Sequence, residues 1–168
     1  MKYYSTHRET PALSFKDAVI KGLPADNGLF MPEHIPVLPA EFFDKLSEKA
    51  LPEIGVEVAA PFVGEDLTTE QLHQVIEDTL AFEIPVVNVH DNIYSLELFH
   101  GPTCAFKDVG ARFLARCLSH FSDEKVTVLV ATSGDTGSAV ANGFLGVENV
   151  DVVILYPKGK VSHLQEQQ

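Results

Sequence analysis

Val126-Thr-Val-Leu-Val-Ala131 runs directly into Thr132-Ser-Gly-Asp-Thr-Gly137, and this stretch decides the fold. Six residues rich in β-branched side chains, without a charge, suit a buried parallel strand. The glycines and hydroxyls that follow suit a strand-to-helix turn, and the spacing predicts a helix over 136–145. A second strand-like run, Val150–Tyr156, comes next. Working back toward the N-terminus, a helix is expected over 108–121, with Ala111, Leu114, Leu118 and Phe121 on its apolar face. Before it, 85–89 and 93–99 read as strands joined by the turn His90-Asp-Asn92. Strand–helix–strand–helix–strand implies a parallel sheet with helices on its faces. The loops around Lys107, 133–137 and 157–162 each follow a strand. In such a sheet they emerge at the carboxyl edge, where open α/β folds bind ligands.

Residues 1–84 read differently, as mostly helical. Ser14 and Gly22 bracket a helix over 15–21. Pro24 to Pro32 is turn-rich. Pro39 and Pro52 open two further helices, the second ending near Gly64. Thr68 and Gln71 form a capping box for a helix whose apolar face is Leu72, Val75, Ile76 and Leu80. The expected architecture is therefore α/β: a mostly helical N-terminal domain over 1–84, then the start of a parallel-sheet domain over 85–168. The run from Pro157 to Gln168 looks like a loop entering a helix, so the sequence is expected to be a truncated part of a larger protein.

The charge balance sets limits on partners. Lys plus Arg number 12 against 24 Asp plus Glu, a formal net charge of −12. Nucleic-acid binding needs concentrated cationic side chains, so it is not expected. No apolar run is long enough for a bilayer, and no signal peptide is evident. Cys104 and Cys117 are expected to be reduced thiols, and the location cytoplasmic. The seven histidines lack metal-ligand spacing, so no metal is expected.

The chemistry concentrates in Gly101-Pro-Thr-Cys-Ala-Phe-Lys-Asp108. This segment sets one amine behind a Gly-Pro turn, beside apolar neighbours, at the mouth of a helix. Such an amine is a candidate for a covalent imine with an aldehyde cofactor. Desolvation and nearby cations favour the neutral form of a lysine that must attack a carbonyl. Asp108 is expected to cap the following helix, and Cys104 to serve as small apolar packing. His100 is near enough to contribute. Ser133-Gly-Asp-Thr-Gly137 offers backbone N–H groups at a helix N-terminus, which favour an anion. An ordinary capped turn, with Thr136 or Ser138 as cap, is the simpler reading of that pentapeptide. It has neither P-loop nor dinucleotide spacing, which excludes ATP and NAD sites. Lys158 and Lys160 lie at the same rim and suit a phosphorylated ligand, although a solvated surface loop is the simpler reading of those residues taken alone.

These residues resemble the threonine synthase family. Gly101–Asp108 is similar to its pyridoxal-phosphate attachment motif, and Ala131–Ser138 to its second motif. Tyr3–Thr6 and Asp26–Glu33 resemble its N-terminal segment, and Tyr156–Ser162 its third motif. The resemblance implies a fold-type II pyridoxal-phosphate lyase that converts O-phospho-L-homoserine and water to L-threonine and phosphate. Lys107 would carry the cofactor as an aldimine and shuttle protons, and Asp135 would lie near the cofactor ring oxygen. Ser133, Gly134 and Thr136 would line the substrate site, and Lys160 would meet the substrate phosphate. The family's glycine-rich phosphate loop falls beyond Gln168, so the chain alone is expected to be inactive. His163 stands where the family more often has proline. A related phospho-lyase, or a non-catalytic homologue, carries the same motifs and stays open.

Overall fold

A computed structural model describes residues 1–167. The chain falls into two units, Met1–Glu77 and Asp78–Gln168.

In the first unit, β1 (Tyr3–Ser5) precedes α1 (Phe15–Lys21). Ser14 accepts the Asp17 N–H at 3.0 Å, and Gly22 closes the helix at φ 68°. The strand β2 (Phe30–Pro32) pairs antiparallel with β1, Tyr3 opposite Pro32 and Ser5 opposite Phe30. Then come α2 (Ala40–Asp44), a 3-10 turn over Leu46–Glu48, α3 (Leu51–Val63) and α4 (Thr69–Thr79). The capping box of α4 forms with both its bonds: Gln71 N–H to Thr68 Oγ1 at 3.2 Å, and Thr68 N–H to Gln71 Oε1 at 2.9 Å. Tyr3, Ala18, Phe42, Val63, Leu67, Leu72, Val75 and Ile76 are the buried apolar side chains. The helices follow the sequence reading. The small sheet was not expected, because three-residue strands are too short to display alternation.

What holds that sheet is a carboxyl group in the turn-rich stretch. Asp26 accepts the Ser5 hydroxyl at 2.6 Å and the backbone N–H groups of Gly28, Thr10 and Glu9 at 3.0, 3.0 and 3.1 Å. Gly28 has no room for a side chain, since a Cβ there would lie 2.3 Å from Ser5 Oγ. Partial burial opposes ionisation of Asp26. The bonds donated by Ser5, Gly28, Thr10 and Glu9 outweigh it and hold its carboxyl well below the usual range. A depressed native pKa stabilises the fold above the unfolded-state value, and that stabilisation is lost as pH falls through the native one. Asp26→Ala is therefore expected to lower the urea midpoint at neutral pH and to flatten its dependence on acid. An unchanged pH profile in the variant would remove this role.

The second unit opens with a hairpin, β3 (Val86–His90) and β4 (Ile93–Leu96), irregular between Asn88 and His90. Next are α5 (Lys107–Phe121), β5 (Val126–Ala131), α6 (Asp135–Gly143), β6 (Val150–Leu155) and α7 (His163–Gln167). The pairing of β5 with β6 is parallel, from Val126 opposite Val150 to Ala131 opposite Leu155. Among the described residues β4 pairs with β3 alone, so the expected third parallel strand is absent from that sheet. Nor is β5 buried on both faces: its residues alternate, and Leu129 is 64% exposed. On α5 the buried face is Ala111, Ala115, Cys117, Leu118 and Phe121, while Leu114 turns outward. The small residues on that stripe let α6 approach closely. A Cβ added at Gly143 would meet the carbonyl carbon and Cβ of Ala111 at 3.0 Å. Arg116 Nη1 donates to the Gly143 carbonyl at 2.6 Å across the same contact.

Candidate active site

The loop from Gly101 to Phe106 is folded by its own backbone and by one buried side chain. The Cys104 N–H donates to the Gly101 carbonyl at 3.1 Å, and Cys104 sits at φ 56°. Asp108, 1% exposed, accepts the Thr103 N–H at 2.9 Å and the Thr103 hydroxyl at 2.6 Å. This corrects the capping expectation. Asp108 is the second residue of α5, Phe106 occupies the cap position without a side-chain bond, and the carboxyl group grips the preceding loop instead. Cys104 is exposed, not packed. His100 stacks on Phe99, with ring centroids 4.7 Å apart, and its Nε2 is 2.7 Å from Glu97 Oε2.

Lys107 is the first residue of α5 and Asp135 the first of α6. Both side chains leave the N-terminal turns of two packed helices, and Lys107 Nζ donates to Asp135 Oδ1 at 2.8 Å. The lysine side chain is 32% exposed and the aspartate 48%. The Phe106 ring lies beside the same nitrogen, its centroid 4.7 Å away. The bond from Lys107 holds the Asp135 carboxyl below its ordinary range, with partial desolvation opposing it.

Around Asp135 the turn is tight. The Gly134 N–H donates to Thr132 Oγ1 at 3.2 Å, and the Gly137 N–H to the Gly134 carbonyl at 3.2 Å. Gly134 is the cap residue of α6 and has no side chain to accept the first-turn N–H groups, so neither Thr136 nor Ser138 serves as cap. A Cβ at Gly137 would meet Thr132 and Ile154 side chains at 3.0 and 3.3 Å, so this glycine lets α6 lie against β6. Beside the turn is a cleft of about 210 Å³, lined by Thr132, Gly134, Ser138, Ile154, Tyr156 and Gln165 among others. The structure thus brings Lys107 to Asp135 and sets Gly134 at the cleft. Ser133 is exposed and Thr136 half-buried on either side. Lys160 lies on the exposed turn after β6, where its N–H donates to the Pro157 carbonyl at 3.0 Å, and it does not line the cleft. The sequence reading missed the roles of Thr103 and Gly101, since a bond between residues five apart in a loop follows no period.

A lysine amine can form a covalent bond to a carbonyl carbon, and a carboxylate beside it fixes where the nitrogen lies. The fold and this pair define the chain as an α/β protein with an amine–carboxylate site at two helix N-termini. Residues 2–80 match the family described as "Threonine synthase N terminus". Threonine synthase of Haemophilus influenzae is 46% identical over 167 residues, covering 99% of this chain and 39% of that protein. The crystal structure of threonine synthase from Escherichia coli superposes with a TM-score of 0.92 at 43% identity, over 99% of this chain and 39% of the other. The PLP-bound threonine synthase structure from Brucella melitensis gives 0.92 at 39% identity, over 99% and 38%. The chain belongs to the threonine synthase family and corresponds to the N-terminal part of its members. It spans about 39% of the length of the curated relatives it matches.

Proposed function

We propose that this chain supplies the lysine-bearing part of a threonine synthase, which converts O-phospho-L-homoserine and water to L-threonine and phosphate. The observation that carries this reading is the 2.8 Å contact between Lys107 Nζ and Asp135 Oδ1 at the starts of α5 and α6. The donor set fits pyridoxal phosphate: a single amine for its aldehyde, a carboxylate for its ring hydroxyl, and an aromatic neighbour, Phe106. When bound, the cofactor supplies an electron sink for charge that develops as a proton leaves the substrate. Lys107 would hold it through Nζ, and the same atom takes and returns protons. Asp135 orients that nitrogen. The backbone around Ser133, Gly134 and Thr136 binds the substrate's carboxylate at the start of α6. Lys160 meets the substrate phosphate.

Further parts of the reading follow from the resemblance together with the sequence pattern, cysteine usage and charge. The architecture is fold-type II, with residues 1–84 as a helical domain and 85–168 as the beginning of the cofactor domain. The protein is cytoplasmic, and its partner is a phosphorylated amino acid rather than a nucleic acid or a membrane. Among the described residues no helix is long and apolar enough to cross a bilayer. The test is borohydride reduction of the cofactor-loaded full chain, followed by peptide mass mapping. A pyridoxyl adduct on Lys107 is expected. Its absence from folded protein would defeat the proposal.

A further inference from the structure

We propose that Asp108 is a positioning residue, which sets the direction of Lys107 by gripping Thr103 and so fixing the rotational phase of the first turn of α5. The inference rests on the reading of Lys107 given above.

Three observations carry it. The carboxyl group is 1% exposed at the second helical position, so this residue points inward. Consecutive helical residues are turned by about 100°, and an inward Asp108 therefore fixes the direction of the preceding Lys107. Second, both oxygens are used, one by the Thr103 N–H at 2.9 Å and one by its hydroxyl at 2.6 Å. That pair of bonds draws the loop back over the helix start, where Cys104 takes its left-handed conformation. Third, the room for the carboxyl group is made by a missing side chain. A Cβ at Gly101 would lie 2.5 Å from Asp108 Oδ2, so Gly101, Thr103 and Asp108 form one interlocked unit. None of these three residues bonds to Asp135, and Asp108 contributes by orientation alone. An amine displaced by about 1 Å from its reactive position loses on the order of 100-fold in rate.

The conservative variant makes the inference testable. Asp108→Asn keeps the shape. Its Oδ1 can accept the Thr103 N–H, while the hydroxyl turns to accept from Nδ2. Asp108→Ala removes both bonds, and Thr103→Val removes the hydroxyl bond with little change of volume. Three readouts apply to the full chain: kcat and KM separately, borohydride-trapped pyridoxyl on Lys107 by mass mapping, and amide hydrogen exchange over 103–108 without cofactor. The expected result is a fall of about 100-fold in kcat and a matching loss of Lys107 adduct in Asp108→Ala, with KM less affected. Exchange at Thr103 should accelerate, and Asp108→Asn should recover most of the loss. Should Asp108→Ala not fold, Thr103→Val decides, with about a tenfold fall in kcat and adduct expected. The proposal is overturned if Asp108→Ala melts lower yet labels Lys107 and turns over like wild type. It is equally overturned if a folded Asp108→Asn falls as far as alanine, or if Thr103→Val is unchanged. Loss of adduct from wild type itself would instead defeat the reading of Lys107.

Discussion

Lys107→Ala in the full chain is expected to lower kcat/KM by about 10⁴-fold or more, because one nitrogen both holds the cofactor and moves protons. The loss should be specific to chemistry. Lys107 is one-third exposed, its amine bonds the half-exposed Asp135, and the helix behind it begins without a side-chain cap. Removing the side chain leaves the buried face of α5 intact, so the melting curve should move little. Lys107→Arg should fail almost as badly, since a guanidinium keeps the charge near Asp135 but cannot form the covalent bond. Two measurements check this: steady-state kinetics, and mass mapping after reduction, which should find no adduct in the 101–121 region. Catalysis within tenfold of wild type in either variant would move the reactive amine elsewhere.

Gly143→Leu should give the largest loss of stability. The glycine is buried where α6 meets α5, and even a methyl group there would lie 3.0 Å from the carbonyl carbon and Cβ of Ala111. Backbone atoms cannot swing aside as a flexible side chain can. A leucine must therefore push the helices apart, at a cost of about 3 kcal/mol or more, the upper end for overpacking. The same displacement weakens the bond from Arg116 to the Gly143 carbonyl. It also separates the two helix starts that carry Lys107 and Asp135. Chemical denaturation of the full chain should report the stability loss, and reduced labelling of Lys107 the loss of geometry. Gly143→Ala should be milder, since a shift of a few tenths of an ångström accommodates a methyl group. A Gly143→Leu protein with wild-type stability would mean that α5 and α6 do not pack as described.

Much of this was legible in the residues themselves. The helices of the first unit announce their ends chemically, through Ser14 and Gly22 for α1 and Thr68 with Gln71 for α4, because caps satisfy backbone groups locally. β5 and β6 declare themselves by β-branched content, and the loop after β5 by its glycines. Other features were not legible. The β1–β2 pair depends on Asp26, which ties residues 5, 9, 10 and 28 together, and nothing local to any of them signals the bond. The pairing of β4 with β3 alone also lay outside pattern reading, since a strand's sequence does not name its neighbour. Asp108 next to a helix start looks like a cap, and only the folded loop reveals that its bonds run to Thr103.

The residue sequence by itself determined which atoms are available: one lysine behind Gly101-Pro-Thr103, one aspartate between glycines, and a strand-to-helix turn that sets the aspartate just after β5. Local chemistry suffices for that, because caps, turns and β-branched runs act over a few residues. Only tertiary structure decided that the two meet. The contact spans 28 positions and depends on how closely α5 and α6 approach at Ala111 and Gly143, and on which way the first turn of α5 faces. Distances of that kind are set by packing volume and by buried bonds between remote residues, and neither is encoded in any single segment.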